Sequence, residues 1–133
     1  MKIVINKEFK EYESIQYWMA ALAGRAKSTK VGYLGHFQAF CEVVRKTPDE
    51  LIAQRRQDMK SDDLYVRHRI EMLLKKHIAE LKEDDKSIGT QKNRYQSVRS
   101  FFQCHYAPLE LLRSDAPSGE PIGEEPADKN QIK

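Results

Sequence analysis

Val66, Ile70, Leu73, Leu74, Ile78 and Leu81 recur at steps of three and four, so a helix over about 61–82 carries one continuous apolar stripe. Such a stripe is stable only when other apolar faces cover it, and the chain supplies them. Phe9, Tyr12, Ile15, Met19 and Leu22, with Trp18 beside them, predict a helix over about 9–23. Tyr33, Leu34, Phe37, Phe40, Cys41 and Val44 predict a second. Tyr95, Val98, Phe101, Phe102 and Tyr106 predict a last main helix over about 90–106.

The punctuation between these stripes agrees with them. Gly24 is a natural stop for the first helix, and Ser28 or Thr29 can cap the start of the second. Gly32 and Gly35 each lower helix propensity by about 1 kcal/mol relative to Ala. Both project away from the apolar stripe of that helix, so either the helix frays there or something approaches its backbone closely. Thr47-Pro48-Asp49-Glu50 reads as an N-cap, a first-turn proline and a capping-box acid. It opens a short helix to about Met59, anchored by Leu51 and Ile52. Ser61-Asp62-Asp63 supplies a cap and two first-turn acids for the long helix. Pro108 ends the last helix, and Leu109, Leu111 and Leu112 are expected to add one packed turn.

The segment Lys2–Ile5 is short and β-branched, but one strand without a partner is not a sheet. The expected fold is therefore all-α: a bundle of four main helices plus a short fifth. After Arg113 the composition shifts. Three of the five prolines (Pro117, Pro121 and Pro126) fall there with Gly119 and Gly123, and Ile122 and Ile132 are the only large apolar residues. Such a segment buries too little to offset chain entropy. The chain is thus divided into a folded region, 1–112, and a disordered acidic tail or linker, 113–133. Charge follows that boundary: residues 1–112 hold 20 Lys/Arg against 15 Asp/Glu, net +5, and residues 113–133 have net −2. A basic body permits nucleic-acid binding without requiring it.

No apolar run approaches the roughly 20 residues that span a bilayer, and the first residues are apolar too briefly for a signal peptide. The expected compartment is the cytoplasm. Cys41 and Cys104 lie far apart with no partner at metal-ligand spacing. Cys41 falls on an apolar stripe and reads as core, while Cys104 falls off its stripe. His36, His68, His77 and His105 form no spaced metal motif, and His77 lies on an apolar face. The glycines build no phosphate-cradling loop. An enzyme needs converging reactive groups, and the sequence offers none; neither metal nor cofactor is expected.

The positive signal sits at two helix starts. Arg25, Lys27, Ser28, Thr29 and Lys30 open the second helix, and Thr90, Gln91, Lys92, Asn93 and Arg94 open the last, with Arg99 further along. Cations and hydroxyls beside free backbone N–H groups at the positive end of a helix dipole are what a phosphate oxygen needs. Gln91 and Asn93 have the groups to read adenine, and Arg94 guanine, if that helix enters a major groove.

The order of these pieces resembles a known family. Ser28-Thr29-Lys30-Val31-Gly32-Tyr33 with Phe37 and Phe40, then Thr47 to Ile52, a long amphipathic helix, and Ser87 through Phe102 are similar to the N-terminal core-binding domain of tyrosine recombinases and phage-type integrases, the SAM-like domain. The resemblance covers about residues 9–112. It implies one half of a clamp around double-stranded DNA, with the second and last main helices facing the core site. Contact roles then fall on Lys27, Ser28, Thr29, Lys30, Thr90, Gln91, Lys92 and Arg94. It further implies other recombinase protomers as partners on DNA, and a catalytic domain joined through the tail. The family's catalytic arginines, His-x-x-Arg element and tyrosine nucleophile are missing: no histidine here has Arg three positions on. The chain is accordingly expected to bind DNA without cleaving it, as a recombinase fragment or a stand-alone regulator of recombination. A helical protein-interaction domain is the rival expectation.

Overall fold

The computed structural model describes residues 7–118. Among them the chain is all-helical, with six α-helices in a packed bundle. A 3₁₀ turn, Lys7–Glu11, precedes α1 (Glu13–Ala21); then come α2 (Lys27–Val44), α3 (Pro48–Asp58), α4 (Leu64–Arg67), α5 (Arg69–Glu83) and α6 (Ile88–Cys104). The expected first helix thus begins later, with its leading turn wound as 3₁₀. The segment Lys2–Ile5 lies outside the described residues.

The bundle is organised on α2 and α6, its most extensively packed pair. Phe37 and Phe101 stack at the crossing, centroids 4.1 Å apart. Trp18 of α1 meets both edge-on, at 5.4 and 5.5 Å, and is fully buried. Its indole N–H donates to Ser100 Oγ at 3.0 Å, so the polar end of the ring is also satisfied. Leu51 of α3 and Ile70, Leu74, Ile78 and Leu81 of α5 continue this core. Each fully buried side chain of this size stabilises the fold by roughly 1.5–3 kcal/mol.

Thr47 caps α3 as the sequence indicates. Its hydroxyl accepts from Glu50 N–H at 3.1 Å, and the Glu50 carboxylate accepts from Thr47 N–H at 2.9 Å. Two expected starts move. The N-cap of α2 is Ala26, so Ser28 and Thr29 lie inside the first turn and cap nothing. The long helix is divided at His68 into α4, capped by Asp63 rather than Ser61, and α5. At this break the buried guanidinium of Arg55 donates to the Arg67 carbonyl at 3.0 Å, a tertiary bond to a carbonyl at the end of α4.

Three helices end on one device. Arg45, Asp85 and Tyr106 have φ near +60°. The amide after each then bonds a carbonyl five residues back: Lys46 to Cys41, Lys86 to Leu81 and Ala107 to Phe102. At Tyr106 this reversal swings the ring out of the expected stripe, leaving it 93% exposed. Beyond it, Leu109 and Leu111 pack against the core without forming a helical turn, and Leu112 is exposed. A 3₁₀ turn follows at Arg113–Asp115. The rest of the expected tail, 119–133, lies outside the described residues.

Candidate nucleic-acid interface

At the start of α2, the first backbone bond runs from Lys30 N–H to Ala26 O. Ala26 offers no side-chain cap, and the first turn contains no acid. Arg25, Lys27 and Ser28 are exposed there, and Thr29 and Lys30 half-exposed. α6 starts differently: Ser87 Oγ accepts from Thr90 N–H at 3.1 Å and bonds the Thr90 hydroxyl. Its first turn also lacks an acid. α1, α3 and α5 each begin with at least one. The two longest helices therefore keep an uncompensated positive dipole end.

The two starts meet. Ser28, Thr29, Gly32, Tyr33 and His36 of α2 line a groove of about 300 Å³, and Asn93 of α6 closes it. A Cβ built on Gly32 or Gly35 meets nothing within 4 Å, so the expected open side of α2 is present. Tyr33 stacks on Trp18 at 6.1 Å, holding this wall against the core. Lys27 and Lys30 flank the other side of α2, beside Lys10. On α6, Lys92, Asn93, Gln96, Arg99 and Gln103 form an exposed stripe. Arg99 lies 5.8 Å from the Tyr95 ring centroid and donates to Gln96 at 3.0 Å.

Two residues predicted to contact DNA are occupied elsewhere. Gln91 is only 8% exposed, and its amide donates to Lys86 O at 3.1 Å. It lies on the buried side, four residues before Tyr95, and does not face outward as a base reader. Arg94 is half-buried: its Nε donates to His36 Nδ1 at 3.0 Å and its Nη1 to His77 Nε2 at 2.7 Å. Arginine only donates, so both imidazoles accept and are neutral. Burial, and then the Arg94 charge, lower His36 below its ordinary value and His77 to about 4. Thus Arg25, Lys27, Ser28, Thr29, Lys30, Thr90, Lys92, Asn93 and Arg99 remain at or near the surface of the two starts.

A second polar cluster lies outside the residues predicted from the sequence. Arg55 is fully buried and paired with Glu71 at 2.9 Å; its Nη2 donates to Pro108 O at 2.7 Å. Glu71 also accepts from Glu110 N–H, and Glu110 in turn accepts from Arg67 Nε and contacts His68. These bonds hold Glu110 at a pKa of about 2, Arg67 contributing first. His68, Glu71 and Glu110 bring ligand-type atoms within 4.8 Å of one another. Arg55 and Arg67 already neutralise the two carboxylates, so the donor set is that of an ion-pair network, fastening the segment after α6 to α3 and α5. Both cysteines are free; burial holds Cys41 well above the ordinary thiol range and Cys104 at about 11, which disfavours nucleophilic thiolates.

Comparison of the chain with protein-family models, with curated proteins and with solved structures returns no match.

Proposed function

We propose that this chain is a DNA-binding helical domain of the core-binding type found in tyrosine recombinases, which seats the starts of α2 and α6 on one stretch of duplex. One observation carries the reading. The two longest helices lack first-turn acids, carry Lys27, Lys30 and Lys92 at their starts, and flank a single groove. Phosphate oxygens are the natural occupants of such positions, so affinity comes mainly from backbone contacts, with Asn93 exposed and able to read a base. The reading gives the chain a cytoplasmic positioning role with no bond-making step of its own.

Binding of a fluorescent duplex, followed by anisotropy at several salt concentrations, tests it. Affinity is expected to fall steeply with salt, and Lys27→Gln/Lys92→Gln to flatten the log–log slope by roughly 2. Absence of binding at low salt by a folded chain contradicts it.

A protein-binding role has one observation in its favour. Met72, 47% exposed, and Leu112, 67% exposed, border a groove of about 390 Å³ with His68, Lys75 and Asp115, on residues separate from the groove at the helix starts.

A further inference from the structure

The outer side of α6 faces the point where the described chain ends. Lys92, Gln96, Arg99 and Gln103 stand four, three and four residues apart, all exposed. Ala116 and Pro117 form the remaining wall of a groove of about 250 Å³ otherwise lined by Lys92, Tyr95, Gln96 and Arg99. The exit is held there. Asp115 pairs with Lys75 of α5 at 3.4 Å and accepts from Leu112 N–H at 2.8 Å. Among the described residues, neither Lys92 nor Arg99 forms an ion pair.

The next ten residues, 119–128, contain Glu120, Glu124, Glu125 and Asp128, and no Lys or Arg. Reach is ample: ten extended residues span up to about 33–36 Å, while Lys92 and Arg99 are separated by about 10 Å along the helix. A short tether adds little loop-closure cost and keeps the acids at an effective concentration of about millimolar or more. Opposite charge, proximity and unpaired cations coincide at one face.

From this geometry we infer that residues 119–128 dock on the Lys92–Gln96–Arg99 face of α6 as an acidic intramolecular occupant, which duplex DNA must displace. The docking stands on the exit and the charges; the competition rests on the DNA-binding reading above.

The test uses the full chain, ¹⁵N-labelled, with Cys104→Ser and a nitroxide on Ala127→Cys. A second chain adds Glu120→Gln, Glu124→Gln, Glu125→Gln and Asp128→Asn. At low salt the acidic tail should broaden the amides of Lys92, Gln96 and Arg99 markedly more than the neutral tail does, and high salt should abolish the difference. Equal broadening by the two tails overturns the docking. Duplex anisotropy then tests the competition: the neutral-tail chain should bind about threefold to tenfold tighter at low salt, the gap closing as salt rises. Docking with equal duplex affinities overturns the competition alone. If neither chain binds duplex, the DNA reading and the competition fail, while the amide broadening still decides the docking.

Discussion

Arg94 of α6 donates Nη1 to Nε2 of His77 of α5 across 2.7 Å, which leaves the imidazole proton on a buried Nδ1 with no hydrogen-bond partner among the described residues. Its Nε holds His36 of α2 in the same way at 3.0 Å. One guanidinium therefore joins the three longest helices through two neutral rings, and a proton added to either ring breaks a bond and places two positive charges together.

Stability should consequently depend on pH in a defined window. The folded-state pKa of His77, about 4, lies below its ordinary 6.5. Between these values the unfolded chain binds a proton that the native chain refuses. The contribution is complete above pH 6.5 and declines as pH falls towards 4, by at most about 1.4 kcal/mol per pH unit for one group. His36 and His105, also lowered, act in the same direction. Glu110, held at about 2, keeps its contribution above its ordinary 4.5 and loses it only as pH falls below that. Urea midpoints should drop from pH 7 to 4.5, and His77→Gln should reduce the slope. A flat midpoint across the window contradicts neutral histidines at Arg94.

Arg55→Met removes the only cation that pairs with the buried Glu71 carboxylate among the described residues. Leaving that charge uncompensated should cost about 3–5 kcal/mol in urea unfolding. Adding Glu71→Gln should restore part of the loss, since the stranded charge is then gone. A loss below about 1 kcal/mol would mean that water reaches the site.

The hydroxyls at the helix starts should differ. Thr47→Ala removes the hydroxyl that accepts from Glu50 N–H, while the Thr47 backbone N–H can still donate to the Glu50 carboxylate, and should cost about 1 kcal/mol. Ser28→Ala touches no cap and should stay within about 0.5 kcal/mol. Thermal unfolding of the two variants separates them directly.

Gly32→Ala places its Cβ in open space on α2, so the variant should gain up to about 1 kcal/mol of stability. Gly32→Gln should also fold, yet weaken duplex binding if a phosphate backbone approaches that face. Unchanged binding by a folded Gly32→Gln chain would move the contact away from the groove.

The stripes of Phe37 and Phe40, Leu74 and Ile78, and Phe101 and Phe102 made the helical bundle legible, because burial repeats with the helical period. The buried polar residues obey the same rule, although their chemistry alone points to the surface. Arg55 follows Leu51 by four, and Gln91 precedes Tyr95 by four, so both sit on core-facing stripes. Arg94 precedes Val98 by four and Phe101 by seven, which turns it inward to His36 and His77. The break at His68 has no such local sign, and the Arg67 carbonyl beside it takes its bond from Arg55, twelve residues away. For the candidate interface, sequence named the two helix starts, but their meeting at one groove depends on how α2 and α6 cross.

The most direct measurement is an amide NMR titration of the labelled full chain with a short duplex, at low and moderate salt. The account predicts salt-sensitive shifts concentrated at residues 25–36 and 90–99, with residues around Met72 and Leu112 undisturbed. A folded chain whose amides do not move at either salt, or move only around Met72 and Leu112, would contradict the DNA-binding reading.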